Sequence, residues 1–591
     1  MKQNELTNKK EHHNIMLKKL ISTSDKIGYT KLLLVLLLGV LVFFIFARNF
    51  PPILIILGVI GLVLLIILWV SHYKWHEKIK YSKGIVAICS RHLARISGKW
   101  PAFPDIGDEF IDSNHPYSSD LDIVGKKSFF QFLNTTHTWH GRKAFAEALL
   151  QPSFFNDELI LRQDSVAELS ADIDEVVHME HCFSKIGVHK SAEKLADNLG
   201  DKSIFINSTL IKILLLFGPL VTAALIASVF IFGHSFLLLI AIGAVVVQGL
   251  TWIIGMSKAH GYLGPISRLP YSLEAYSDVI NMITSRDYES PRLQQIQGQL
   301  GANQQSAAQA IKVLGRIADK VNIKHNALLW FAVNVLLLWD FWCAMLFEKW
   351  KLRYADEAVD WLPKVGEFES LLCFANLPNI CNNTCLPGLS GDIKACSMGH
   401  PLISGGARVD NDFVCNNNIL IISGSNMSGK TTFMRTLGIN LVLAKAGSFV
   451  CANKMYFAPL EIMSSMRIAD DLNEGISTFY AELNRIKGII ALGEKEPRMI
   501  FLIDEIFKGT NSIDRLSGAK SVIAKLEKLG AVGVITTHDL ELCEIAVPDS
   551  RIVNYSFSEE YRNGRIYFDY KIKPGRSTTT NAKYLMEMVG I

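Results

Sequence analysis

Four apolar runs set the first limit on how this chain can fold. Leu32 to Ala47 and Ile53 to Val70 flank the break Arg48-Asn-Phe-Pro-Pro52, and Ile213 to Phe232 and Phe236 to Met256 are joined only by Gly233-His-Ser235. A spanning helix needs roughly 17–25 apolar residues, because in lipid the backbone must satisfy its own hydrogen bonds. Each pair therefore reads as a transmembrane hairpin. The first pair has no small-residue cleavage site between its runs, which argues against a signal peptide. Hydrophobic residues make up 49% of the 591, and the mean hydropathy is +0.24. Burial of these runs in a soluble core is the rival reading; lengths near a full span with almost no charge speak against it.

A second feature asks for a ligand. Gly424-Ser-Asn-Met-Ser-Gly429-Lys430-Thr431 fits the phosphate-loop pattern G-x-x-x-x-G-K-[ST]. Ile419-Leu-Ile-Ile422 before it reads as a buried strand, and Thr432 to Lys445 after it has helical spacing. Glycines let backbone N–H groups of residues 424–429 and of Lys430, Thr431 and Thr432 close round phosphate at a helix N-terminus. Lys430 supplies a point charge for the β- and γ-phosphates, and the Thr431 hydroxyl suits Mg²⁺. Further on, the apolar strand Met499-Ile-Phe-Leu-Ile503 ends in Asp504-Glu505. There an Asp can hold Mg²⁺, and a Glu can deprotonate an attacking water. A third strand, Val532 to Thr537, ends at His538-Asp539, where a His can sense the γ-phosphate; a plain surface histidine is the alternative. The pattern predicts ATP and Mg²⁺ as ligands and an ATPase (ATP and water to ADP and phosphate) as the activity.

These residues resemble one family. Gly424 to Arg435 is similar to the MutS phosphate loop, with its Asn426-Met427 pair between the glycines. Ile503 to Asp514 resembles the MutS Mg²⁺ strand and the loop after it, Thr536-Thr-His-Asp-Leu540 its switch histidine, and Asp470 to Phe479 its Ser-Thr-Phe segment. Gly399-His-Pro401 stands where the family carries a His-Pro pair. Ser128 to Arg142, Leu150-Gln-Pro152, Arg162-Gln163 and Val166 resemble the opening of the MutS core domain. The resemblance implies a homodimer in which Ser477 of one chain completes the ATP site of the other. It also implies an adenine-stacking aromatic upstream of Asn411. Arg408 and Val409 stand there instead, leaving Tyr555 or Phe557 as candidate rings.

The implied fold class is α plus α/β, multidomain and membrane-bound: a helical MutS-like core with an inserted hairpin, then an ABC-type P-loop domain. The expected divisions are 1–80 (basic tail and hairpin, 32–47 and 53–70), 81–206 (core, first part), 207–256 (hairpin, 213–232 and 236–256), 257–392 (helical core and lever) and 393–591 (ATPase). Lysines orient the spans. Lys9, Lys10, Lys18, Lys19, Lys26 and Lys31 precede the first run, Lys74, Lys78 and Lys80 follow the second, Lys202 and Lys212 precede the third, and Lys258 follows the fourth. The positive-inside rule puts these ends in the cytoplasm, so the expected location is the inner (cytoplasmic) membrane, multi-pass, with core and ATPase inside. Ala327 to Phe347 is apolar enough for a fifth span, but carries Asn334, Asp340 and three tryptophans. A fifth crossing would put the P-loop in a compartment without ATP, and a mid-span Asp is costly. The expectation is one long buried core helix.

Other features narrow the function. The ten cysteines show no zinc spacing; Cys381-x-x-x-Cys385 with Cys396 is the nearest approach, and buried thiols in a reducing compartment fit better. The net charge of +4 is too small to argue for nucleic acid by itself. The family's mismatch-reading wedge, Phe-x-Glu, belongs near the N-terminus, where this chain has lysines and a hairpin; its Phe557-Ser-Glu559 lies inside the ATPase region. Mismatched-DNA binding and repair is the function the family implies, with shape-based DNA contact still open. A nucleotide-controlled membrane assembly or signalling device without DNA is the alternative. An ABC-type transporter would need a Leu-Ser-Gly-Gly-Gln signature, which the sequence lacks.

Overall fold

A computed structural model describes residues 2–47, 51–152, 156–187, 208–264, 266–268, 270–301, 307–467, 478–496, 498–507, 512–546, 550–562 and 565–577. The chain is mostly helical up to Ile380 and α/β after it. Helices Lys2–Ala47 and Pro52–Ile96 lie side by side, with Ser24 Oγ 3.1 Å from His72 Nε2 and Leu38 packed on Gly61. The lysine-rich start is not a tail. It continues the apolar run as one helix, and Leu6 is buried against Ile85, Ile88, Cys89 and Val177. Leu20 is buried as well, but charged and polar residues separate the two leucines, so they carry little periodic signal.

Thr209–Phe232 and Ser235–Leu263 form the second pair, turned at Gly233, whose φ of 65° suits glycine. Among the described residues, four helices are long and apolar enough to cross a membrane, and a bent pair gives a fifth candidate. That pair corrects the expectation of one buried helix over 327–347. Helix Ala327–Leu337 ends at Leu338, and Trp339–Ala375 leaves at 78° to it. Leu338 takes φ 53°, and Asn334 holds the elbow by accepting the Asp340 N–H at 2.9 Å. Helix Ala327–Leu337 exposes Leu328 and Phe331, whereas Trp339–Ala375 is buried along most of its length. The elbow encloses Asp340, which accepts from the indoles of Trp252 and Trp330 at 3.2 Å and lies 3.3 Å from His260 Nε2. A buried carboxylate needs such partners, and these explain how an Asp is tolerated there.

Trp339–Ala375 is the central strut of the helical part. Helix Trp139–Leu150 crosses it so closely that a Cβ on Gly366 would lie 2.5 Å from His140 C. Glu369 on the strut accepts the N–H groups of His137 (2.6 Å) and Thr138 (3.1 Å).

The described residues form ten strands after the strut: β1 (Gly388–Leu389), β2 (Ile393–Met398), β3 (Asn411–Cys415), β4 (Ile419–Ser423), β5 (Lys454–Phe457), β6 (Glu461–Ser465), β7 (Met499–Asp504), β8 (Val532–Thr537), β9 (Ile552–Arg562) and β10 (Arg565–Pro574). They make a four-stranded sheet, β1-β5-β2-β3, and a six-stranded one, β10-β9-β4-β8-β7-β6. In the larger sheet every pairing is parallel except β9–β10. Its central strands are apolar throughout because both faces are covered. Leu420, Ile422, Leu502 and Val534 join the cluster that holds Phe433 and Leu437 of helix Lys430–Lys445. Ile419, Ile421, Phe501 and Ile535 face Ile489, Ile523 and Leu526 of helices Thr478–Lys495 and Ser512–Lys528. That alternation follows from the two-residue period of a strand.

Candidate functional site

The carboxyl ends of β4, β7 and β8 lie side by side, the usual ligand position in an open parallel sheet. From β4 the chain enters the loop 424–429. Gly424 has φ 152° and Gly429 φ 108°, values that strain any residue with a Cβ. A Cβ on Gly424 would meet Phe557 O at 2.8 Å, and one on Gly429 would lie 3.2 Å from Tyr570 Cδ1. Between the glycines, Asn426 and Met427 are exposed and Ser425 donates to Glu559 Oε2 at 2.8 Å. Ser428 Oγ is buried with no hydrogen-bond partner among the described residues. Helix Lys430–Lys445 starts at Gly429 without a side-chain cap, so its first N–H groups and the positive end of its dipole face the loop. Thr432 lies in its first turn, where its carbonyl accepts the Thr436 hydroxyl at 2.7 Å.

Six further side chains, Lys430, Thr431, Asp504, Glu505, Thr536 and His538, converge on this loop. Lys430 Nζ donates to Gly424 O (2.7 Å) and Ser425 O (3.0 Å) and lies 3.3 Å from His538 Nδ1. The Thr431 hydroxyl lies 2.9 Å from Asp504 Oδ2, and Thr536 donates to the other carboxylate oxygen at 2.5 Å. Asp504 is the last residue of β7. Glu505 follows with φ 61°, its N–H bonded to Thr536 O at 3.2 Å. An Glu in this left-handed region stores strain of about 1–3 kcal/mol, a cost commonly met at functional positions. Its carboxylate contacts His538 Nε2, while His538 Nδ1 sits 3.0 Å from Gly424 O. His538 thus bridges the β4 loop and the β7 turn. A cleft of about 1100 Å³ opens beside this pair, lined by Glu505, His538, Arg515 and Lys520 among others.

The structure therefore brings Gly424, Ser425, Ser428, Gly429, Lys430, Thr431, Asp504, Glu505 and His538 into one site. Ser477 lies outside the described residues. The candidate adenine rings fare differently. Phe557 is 1% exposed and packs on Phe433 at 5.9 Å between ring centroids, as a core residue. Tyr555 is half-buried against the main core. Asn411 ties β3 to β10, donating to Tyr570 O at 3.0 Å and accepting the Ile572 N–H at 2.9 Å. Sequence reasoning missed Tyr570, a partly exposed ring next to Gly429. Its only sequence signal was an aromatic pair, Phe568 and Tyr570, in a strand far from the loop.

Two supports were also missed. Asp120 is buried and accepts from the Ser464 hydroxyl (2.7 Å), Met466 N (3.2 Å) and Arg467 N (2.8 Å). Asp122 pairs with Arg467, and with Arg435 (3.1 Å) on the loop's own helix. The Pro-, Asp- and Ser-rich stretch before helix Phe129–Leu133 is thus a joint between the helical part and the α/β part. His400 of the Gly399-His-Pro401 segment is half-buried; desolvation, with Arg435 and Arg408 nearby, pushes its pKa down to about 4, and Gly399 O accepts from Asn440 of the loop helix at 3.2 Å. That segment braces the back of the helix and does not reach the loop.

Residues 420–591 match the family model described as MutS domain V. The chain is 30% identical over 221 residues to a DNA mismatch repair protein MutS of Lactobacillus helveticus, covering 36% of this chain and 26% of that protein. It is 29% identical over 260 residues to one of Methanococcoides burtonii (42% and 29%) and 32% identical over 208 residues to one of Brevibacillus brevis (34% and 24%). The chain thus spans less than a third of the length of these relatives.

Proposed function

Because the chain belongs to the MutS family through its domain V, we propose that it is an ATPase held in a membrane by its four long apolar helices, with ATP turnover driving rearrangement of the helical part. The observation that carries the reading is the convergence of Lys430, Thr431, Asp504, Glu505 and His538 round a glycine loop. The site fits ATP and Mg²⁺ chemically. It has close-approach glycines, a buried Ser428 hydroxyl without a partner, and a hydroxyl–carboxylate pair of hard oxygen donors. Thr431 and Asp504 would hold Mg²⁺, which neutralises charge on phosphate oxygens when bound.

The chain's own residues then divide the work. The loop N–H groups and Lys430 bind and orient the phosphates. Glu505 takes a proton from water as general base. His538, in contact with both Glu505 and Lys430, fixes their relative positions and moves when either is displaced. The adenine ring has Tyr570 available beside the loop. The strut Trp339–Ala375 and the Asp120–Asp122 joint link this site to the elbow near the apolar helices.

A dimer with composite sites accompanies this reading, as does an inner-membrane location with the α/β domain in the cytoplasm. The relatives named above are mismatch repair proteins, which makes DNA a possible partner. The exposed apolar helices favour the rival, a nucleotide-controlled membrane device that never meets DNA. Phosphate release by the purified full chain, with Lys430→Ala as control, tests the ATPase. Turnover surviving in Lys430→Ala would defeat it. DNA binding that weakens steeply between low and moderate salt would favour the repair reading over its rival.

A further inference from the structure

Between helix Thr209–Phe232 and the elbow lies a groove of about 490 Å³, within the size range of small-molecule sites. Its walls are apolar: Leu216 and Leu220 on one side, Leu337, Trp342 and Leu346 on the other. Leu216 and Leu220 are more than half exposed, so this surface still has an apolar neighbour to gain. Lys320 is the one charged residue in the described lining. The Trp339 indole donates to Lys320 O at 2.9 Å, which fixes the lysine's backbone against the elbow. Lys212 lies one helical turn before Leu216, and by helical spacing on the same stripe. Lys324 follows in the short helix Asn322–His325. Positive charge thus gathers round this region while the groove itself stays greasy.

We propose that this groove binds the acyl chain of an anionic phospholipid, with the Lys320 ammonium on its phosphate. The proposal rests on the membrane reading above. In that setting the groove faces hydrocarbon, and a lysine at a membrane surface attracts anionic headgroups. Its long stem can reach the interface while the chain lies against Leu216 and Trp342. The bound lipid would touch the first two turns of the strut, through Trp342 and Leu346, and so lie at the membrane end of the helix that leads to the α/β domain.

The test uses the full chain in phosphatidylcholine vesicles carrying a trace of phosphatidylglycerol, or of phosphatidylcholine, each with the same diazirine-bearing acyl chain. After photolysis, peptide mapping reads where each probe attaches. Expected are adducts on 215–220 and 337–346, several-fold more from phosphatidylglycerol. Lys320→Gln should bring that excess down to the phosphatidylcholine level, and Leu216→Trp should remove groove adducts of both probes. Adducts on 53–70 should stay unchanged in both variants, which shows that the variant chains insert. Equal labelling of the groove by both probes, or a phosphatidylglycerol excess that survives Lys320→Gln, overturns the site. So does a protein–protein cross-link through the groove, which would make a second copy its occupant. Labelling of 53–70 without the groove defeats the lipid site alone; no labelling of any apolar helix defeats the membrane reading and the site with it.

Discussion

The Thr431 hydroxyl lies 2.9 Å from Asp504 Oδ2, although 73 residues separate the two in the chain. Register and the loop produce that contact together. β4 and β7 both pair with β8, so their ends align; Asp504 closes β7, and the loop 424–429 brings Thr431, in the first turn of its helix, back to that end. Asp504→Asn should raise the Mg²⁺ needed for turnover by about 10–100-fold. Glu505→Gln should leave ATP binding intact and cut turnover by about 10²–10⁴-fold. Equilibrium binding of a fluorescent ATP analogue alongside steady-state phosphate release separates the two. Loss of binding in Glu505→Gln would show that Glu505 has a structural part instead.

Tyr570 and Phe557 should part company in the same way. Tyr570→Ala should weaken ATP binding by about 1–3 kcal/mol, the range for an aromatic–base stack, yet leave binding of inorganic triphosphate unchanged. Phe557→Ala should instead cost about 3–5 kcal/mol of stability, as a buried aromatic in a packed core does. Calorimetric titration with both ligands, plus a melting curve, reads each effect. Equal loss of ATP and triphosphate binding in Tyr570→Ala would remove the stacking role.

Asp120 carries a structural prediction with a functional consequence. Asp120→Ala leaves the Met466 and Arg467 N–H groups without their acceptor, at a cost of about 1–3 kcal/mol for each buried group left unsatisfied, and the Ser464 hydroxyl with Pro116 O alone. The melting temperature should fall, and proteolysis should begin near Arg467, whose backbone N–H loses its carboxylate acceptor. Asp120→Asn keeps one acceptor oxygen and should fall between the two. A melting temperature unchanged in Asp120→Ala would mean that water replaces the carboxylate.

The parts legible in the sequence were those with a fixed local pattern. The glycine loop, the all-apolar strand before Asp504 and the Thr536-Thr-His538 strand end each encode their own geometry within a few residues. Other parts depend on partners far along the chain. Tyr570 meets Gly429 only because β10 pairs with β9 and β9 with β4. Leu338 turns the chain because Asn334, Trp252 and Trp330 together satisfy Asp340, and none of those contacts is periodic. The run 327–347 is apolar on both sides of that break, so hydropathy could not show where it lies. Leu6 and Leu20, the buried leucines of the first helix's lysine-rich start, stand far apart among charged and polar residues.

Topology is testable at the turn of the second pair and at the segment before helix Ala327–Leu337. In a chain cleared of reactive native thiols, His234→Cys, in the turn between Thr209–Phe232 and Ser235–Leu263, should react with a membrane-impermeant thiol reagent outside intact cells. Lys324→Cys, just before helix Ala327–Leu337, should react only after the membrane is opened. Helix Ala327–Leu337 has 11 residues, about 17 Å at 1.5 Å each, too short for a hydrocarbon core of about 30 Å. It should therefore enter and turn back at Leu338. Outside labelling of Lys324→Cys would reverse the orientation drawn from the lysines.

The remaining prediction concerns a second copy of the chain. Ser477 directly precedes helix Thr478–Lys495 in sequence, and Glu482 of that helix accepts the Phe507 N–H. The helix is thereby tied to the turn that presents Glu505. A hydroxyl before a helix N-terminus suits a γ-phosphate, and the family resemblance assigns it to the partner's nucleotide. The plain alternative is that Ser477 caps its own helix, worth about 1 kcal/mol. Ser477→Arg and Lys430→Ala chains should each be inactive alone. A heterodimer of the two pairs one intact loop with one intact Ser477 across the same interface, so mixing them should restore activity at one site of two. A nucleotide touched by both chains should also tighten the dimer when hydrolysis is blocked, as in Glu505→Gln with ATP. Sedimentation with and without ATP measures that shift, and a mixing series of the two inactive variants measures the rescue. Turnover strictly proportional to protein down to the lowest measurable concentration, with no rescue on mixing, would establish a monomer and leave Ser477 as a cap.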